Sequence, residues 1–237
     1  MKEILLICIL LHLCLAPIAV MAQSVAETDN IHQLIGKRYI PPVYYKGPQY
    51  LYSDADWIPG TVYLTNGDSV AHLFLKYNRM QDELIYFNQK NNTAVRLDKK
   101  QLLGFALGYG DRPTVFRKIA HIHASNKAGY YEVLYNGKTD VLAQRRSELK
   151  ICPTYTSKSG VKKDRQFVAY DRYLISGKEN ELLPIRLRKK SLLLKFGDSK
   201  KKEVSRTIRR LHLSMKDEPS MIHAWEALEA QGYSPVF

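Results

Sequence analysis

Two Asn-Gly pairs, Asn66-Gly67 and Asn136-Gly137, each stand between runs that alternate apolar and polar residues. Nothing else in the chain constrains its fold as strongly. Asn and Gly tolerate the positive φ that a tight hairpin turn demands. Alternation sends every second side chain to one face of a strand. Thr61 to Thr65 and Ser69 to Tyr77 flank the first pair, and Tyr130 to Tyr135 and Thr139 to Arg145 flank the second. Glu83 to Phe87 and Thr93 to Leu97 read as a further hairpin across Gln89-Lys90-Asn91-Asn92, followed by strands at Leu102 to Leu107 and Thr114 to Ala120. Cys152 to Arg165 is polar and basic and reads as a loop. Gln166 to Ser176 and Leu182 to Leu187 make a last hairpin over Gly177-Lys178-Glu179-Asn180.

After Arg188 the apolar period becomes helical. Ser191 to Phe196 suits a short helix stopped by Gly197. A second helix opens near Ser199, with Val204, Ile208 and Leu211 on one face. A third opens around Asp217, tolerates Pro219 in its first turn, carries the stripe Met221, Ile222, Trp225 and Leu228, and stops at Gly232. The class expected is α+β: an antiparallel β-meander, as a curled sheet or partly open barrel, with two to three C-terminal helices.

Before the strands lie two segments of different character. Residues 1–22 have the parts of a secretory signal peptide: Lys2, an apolar run from Ile4 to Val20, and the cleavage site Val20-Met21-Ala22. The alternative is an uncleaved anchor. Residues 23–59 form an aromatic lead-in, with Pro41-Pro42-Val43-Tyr44-Tyr45 and Tyr50-Leu51-Tyr52 expected to lie extended across the core. Pro59-Gly60 should turn the chain into the first strand. The β domain then covers 60–187 and the helical segment 188–237. No run after Ala22 is apolar for long enough to cross a bilayer as a helix. Of three cysteines, Cys8 and Cys14 leave with the leader, so Cys152 alone remains and no intramolecular disulfide can form.

Searching the residues for chemistry assigns no catalytic group, metal set or cofactor. His121-Ile122-His123 puts two imidazoles on one strand face, but a zinc site wants three or four ligands. Cys152 precedes Pro153 without an adjacent histidine. Asp54 and Asp56 fall in a turn before Trp57, and Gly108-Tyr109-Gly110 reads as a turn. Glu132 sits within a strand and is expected to pair with a basic cross-strand neighbour. The feature that stands out is charge. The chain carries a formal net charge of +13, and the stretch from Arg186 to Arg210 is densely basic. On the second helix Lys200, Lys201, Lys202, Arg206, Arg209 and Arg210 project away from the apolar stripe, as an anion-binding face would.

Trp57-Ile58-Pro59-Gly60 running through Asn66-Gly67 to Tyr77-Asn78, Tyr130-Tyr131-Glu132-Val133-Leu134 before Asn136-Gly137, and the lysine-rich C-terminal helix pair resemble exported β-rich proteins of unknown function from Bacteroidetes bacteria. The resemblance implies a Gram-negative envelope or extracellular setting and supplies no activity or site residues. Residues 60 to 107 also resemble five-stranded SH3-like barrels.

The reading that follows is an exported, non-enzymatic binding or structural module of the bacterial envelope, at the periplasm, the outer-membrane periphery or outside the cell. Its partners would be anionic: envelope polymer, lipid headgroups or acidic protein, with nucleic acid not expected after export. The second reading is a hydrolase on an envelope or extracellular substrate, its site assembled from distant residues. Converging carboxylates or histidines in a deep pocket would favour the hydrolase, and one positive face would favour the binder.

Overall fold

The computed structural model describes residues 29–41, 45–52, 56–108, 112–120, 128–157, 160–176 and 181–236, with backbone alone at 29–30 and 152–164. The leader at 1–22, the His121/His123 pair, Asp54, Tyr109, the 177–180 turn and the Cys152 side chain lie outside the described residues.

Eleven strands form one antiparallel sheet that does not close, and three helices follow it. The strands are β1 (Gly36–Arg38), β2 (Ile58–Leu64), β3 (Ser69–Asn78), β4 (Glu83–Asn88), β5 (Thr93–Leu97), β6 (Leu102–Leu107), β7 (Thr114–Ile119), β8 (Gly129–Tyr135), β9 (Asp140–Ser157), β10 (Gly160–Ser176) and β11 (Leu182–Ile185). The helices are α1 (Lys189–Leu193), α2 (Asp198–Arg210) and α3 (Glu218–Ala230). In space the order is β1-β5-β4-β3-β2-β6-β7-β8-β9-β10-β11. The meander from β6 to β11 runs neighbour to neighbour, while β2 to β5 fold back so that β2 meets β6. No described helix is long and apolar enough to cross a membrane.

The alternation expected on β3 holds only in part. Val70, Leu73, Leu75 and Tyr77 are all buried, although Val70 and Leu73 are an odd number of residues apart. A bulge between Gly60 and Val62 in the β2–β3 pairing, with His72 at φ 55°, reverses the face and keeps both inside. The Asn66-Gly67 turn is also not the two-residue type. Leu64 N donates to Asp68 O at 2.9 Å, and only Gly67 takes positive φ, +93°. That is a three-residue loop closed by a glycine bulge.

Two further expectations are corrected, and one strand is added. Pro59-Gly60 is not a turn but part of β2. Gly60 sits between β3 and β6, where an added Cβ would lie 2.2 Å from Ala106 O, so only glycine lets the strands approach. The 152–165 loop is a strand pair: β9 continues to Ser157 and β10 begins at Gly160, with a register shift at Lys162/Lys163. A two-stranded ribbon whose backbone groups pair with each other needs no apolar face, so polar composition misled the reading. β1 was also not expected. It pairs with β5 at the sheet edge, and its three residues are too few to show a period.

Burial divides the interior in two. β2 to β8 enclose Leu73, Leu75, Tyr77, Phe105, Phe116 and Tyr130, with Phe105 and Phe116 stacked at 4.6 Å. Next to this core Tyr50 is buried and bridges Asn78, and Leu51 N donates to Tyr77 O at 3.0 Å, while Pro42, Val43 and Tyr44 of the lead-in lie outside the described residues. The second core lies under the helices, where Val141, Ile175 and Ile185 meet Leu192, Phe196, Val204, Ile208, Met221 and Trp225. On α2 the buried set is Val204, Thr207 and Ile208, not Leu211, which stays 40% exposed because the helix ends at Arg210. On α3 it is Met221, Ala224, Trp225 and Leu228, with Ile222 half-buried. Asp217 caps α3: it accepts from Ser220 N, and Ser220 Oγ accepts from Asp217 N in return.

Candidate functional site: a basic cleft on the curled sheet

Strand alternation builds this site. Val141, Ile175 and Ile185 face the helices, so their even-numbered neighbours face the other way. Register sets Gln144 opposite Arg172 and Leu174 opposite Pro184, with Arg146 one pair along from Gln144. Together they line a cleft of about 980 Å³, bounded across the gap by Met80, Gln81 and Asp82 of the β3–β4 turn, by Lys99, and by the run Pro184 to Arg188.

Ionic ties hold the β3–β4 turn in place. Arg79, itself buried, donates to Asp171 Oδ1 at 2.5 Å and to Arg146 O at 3.2 Å, joining the first half of the sheet to β9 and β10. Asp82 has φ 56°, a conformation that Asp tolerates better than most residues. Its carboxylate accepts from Tyr77 Oη at 2.7 Å and from Tyr130 N at 3.3 Å, and pairs with Lys99. One side chain therefore ties β3, β8 and the 3-10 turn Lys99–Gln101 to each other.

On the helix side Arg145 anchors a second network. Its Nε donates to Glu132 Oε2 at 2.6 Å, one terminal nitrogen to Asp171 Oδ2 at 2.9 Å, and both terminal nitrogens to the Glu218 carboxylate at 2.8 and 2.9 Å. Burial opposes the charge on Arg145, but the bonds to Glu132 and Glu218 outweigh it and hold its pKa above the ordinary guanidinium value. Glu132 thus has the basic cross-strand neighbour expected for it. The same cluster pushes the Tyr173 phenol up to about 12, first through burial and then through the Glu218 charge.

These ties leave the cleft with an uneven balance. Its two carboxylates, Asp82 and Asp171, are both engaged by cations. Arg146, Arg172, Arg186 and Arg188 line it too, and among the described residues none of them has a carboxylate partner. Arg172 lies 5.2 Å from the Tyr170 ring centre. Arg146 and Arg172 are diagonal neighbours on one sheet face, an arrangement in which like charges repel.

A second cleft, of about 660 Å³, adjoins the first and shares Gln81, Asp82, Lys99 and Ala128 with it. Lys37, Arg96, Lys100 and Lys118 line it, as do Glu83 and Asp98. Arg96 is taken up by Glu83 at 3.1 Å. Lys118 donates to Lys99 O at 2.9 Å, and burial followed by the Lys99 charge lowers its pKa. Tyr130, 1% exposed, also lines this cleft, and its hydroxyl has no hydrogen-bond partner among the described residues. Burial, then Asp82 and Asp98, keeps that phenol protonated well beyond the usual range.

The six α2 residues expected to bind anions do not converge on either cleft. Lys200, Lys202, Arg206, Arg209 and Arg210 are exposed on the helix, Lys201 pairs with Asp198, and Arg210 reaches Gln231 at 3.4 Å. Among the described residues no three His, Cys, Asp or Glu side chains come together as a metal-ligand set. Arg186 and Arg188 lay within the basic run read from sequence. Arg146 and Arg172 were missed, because each is one charged residue in an alternating strand. Only the pairing of β9 with β10 makes them neighbours.

Comparison of the chain with protein-family models, with curated proteins and with solved structures finds no match.

Proposed function

We propose that this protein is a binding module of the bacterial envelope or exterior that takes an anionic ligand in the cleft between β9–β11 and the β3–β4 turn. One observation carries the reading. Four guanidinium groups line a single concave site whose only carboxylates among the described residues are already engaged. A bound anion would relieve the repulsion between Arg146 and Arg172, and arginine suits carboxylate or phosphate through its planar fork of donors. The engagement of Asp82 and Asp171 with cations supports a binder over the hydrolase alternative, which needs carboxyl groups free to move protons. Export rests on the leader-like residues 1–22 and the envelope setting on the resemblance. The basic face of α2 is the rival location, and its charges are spread along one exposed helix.

The test compares two triple reversals with equal change of charge on a carboxymethyl-dextran surface. Arg172→Glu with Arg186→Glu and Arg188→Glu should abolish most retention. Lys202→Glu with Arg206→Glu and Arg209→Glu should keep most of it. Retention of the wild type should also fall steeply with salt, since exposed charges are screened within about 10 Å at 0.1 M. Equal loss in both variants would make net charge the cause. Greater loss in the α2 variant would move the site to the helix.

A further inference from the structure

The two clefts share one wall, Gln81, Asp82, Lys99 and Ala128, so the basic surface does not end where the first cleft ends. From Arg186 it passes Arg172 and Arg146, continues across the Asp82–Lys99 pair, and reaches Lys100, Lys118 and Lys37. Cations without a carboxylate partner among the described residues thus occur at both ends, with a partly exposed ion pair between them. A compact anion would use one end and leave the other unpaired. We infer that the two clefts act as one trough for a linear oligosaccharide that bears a carboxylate on each successive sugar. This inference rests on the anion-binding reading of the cleft.

The lining selects among polyanions. Arg and Lys only donate, which matches carboxylates, whereas Gln81 and Gln144 both donate and accept, which matches hydroxyls. Met80, Leu174, Pro184 and Leu187 supply apolar surface beside the charges, as the C–H faces of a sugar ring require. An acidic peptide would bind as an added strand along a free sheet edge, β11 or β1 here, and poly-glutamate tests that alternative. A nucleic acid strand would need exposed aromatic rings for base stacking. The trough has Tyr130, which is buried, and Tyr173, which is turned toward Glu218 on the helix side.

Calorimetry with galacturonate as monomer, trimer and hexamer, together with poly-glutamate of similar charge, tests this. Wild-type affinity should rise from monomer to hexamer, and the hexamer should bind more tightly than the peptide. Lys37→Gln with Lys100→Gln changes two exposed residues at the far end, and circular dichroism should show the fold unchanged. That variant should lose about tenfold in hexamer affinity, the scale of about 1.4 kcal/mol, and keep its monomer affinity. Arg172→Gln with Arg186→Gln should weaken monomer and hexamer alike. If wild type binds the monomer as tightly as the hexamer, or the far-end variant binds the hexamer like wild type, the trough is overturned while the single cleft stands. Tighter binding of poly-glutamate overturns the glycan. If no galacturonate binds and none of the variants changes anything, the anion cleft falls as well.

Discussion

Arg145 shows how one side chain can hold a network that no local sequence pattern announces. Its neighbours in sequence are Gln144 and Arg146, yet its partners are Glu132, Asp171 and Glu218 on three other elements. Removing the guanidinium would leave three mostly buried carboxylates facing each other. Arg145→Met should therefore cost about 3–5 kcal/mol in urea unfolding, the cost of breaking a buried ion pair from one side. A loss under about 1 kcal/mol would show that water or other cations replace it readily. Sequence alternation foretold a basic partner for Glu132. Which residue it is depends on the diagonal between β8 and β9, because Glu132 stands directly opposite Ala143.

At the scale of elements, the Asn136-Gly137 turn and α3 depend on each other. Glu229 near the end of α3 accepts from Tyr135 Oη at 2.7 Å and from Thr139 N at 3.0 Å. A Cβ on Gly137 would sit 2.1 Å from the Glu229 carboxylate, so the turn needs glycine for room rather than for φ. Its twin Asn66-Gly67 differs: Gly67 has positive φ and open space around it. The two turns share a dipeptide but not a reason. Glu229→Ala should destabilise the protein by about 1–3 kcal/mol through the unpaired groups it leaves. It should also lower the Tyr135 phenol, which the Glu229 bond and then burial raise to about 12. Ultraviolet titration of tyrosinate reads this directly, and an unchanged curve would remove Glu229 as the cause.

Across the whole molecule the tyrosines set an alkaline limit. Burial raises Tyr131 and Tyr173 to about 12, and Tyr77 and Tyr130 are raised as well, from a reference near 10. Because the folded values exceed the unfolded one, this stabilisation is complete below pH 10 and is lost as pH rises through 12. Thermal unfolding should thus show Tm nearly flat on this account up to pH 10 and falling above it, with the absorbance of the buried tyrosinates appearing together with unfolding. Ionisation of Tyr77 or Tyr130 below pH 11 in the folded protein, read by difference against the Tyr77→Phe or Tyr130→Phe variant, would contradict the burial that defines the first core.

What the sequence by itself determined was the class and most of the elements. Period-two runs mark β2 to β8, Gly197 precedes α2, and Asp217 with Pro219 opens α3, because each of these signals acts within a few residues of chain. The outer part of the β9–β10 ribbon escaped, since strands that satisfy each other need no apolar code. The cleft escaped for a related reason. Its arginines come from β9, β10 and the segment after β11, its opposite wall from the β3–β4 turn, and the cations of the adjoining cleft from β1, β5, β7 and the 3-10 turn. A charge run can be read along a helix, but a charge left unpaired can be known only when every neighbour is in place. The α2 cations are legible because they are close in sequence. The arginines of the cleft are not, because the register of a curled sheet, and not proximity along the chain, decides which charges face one another.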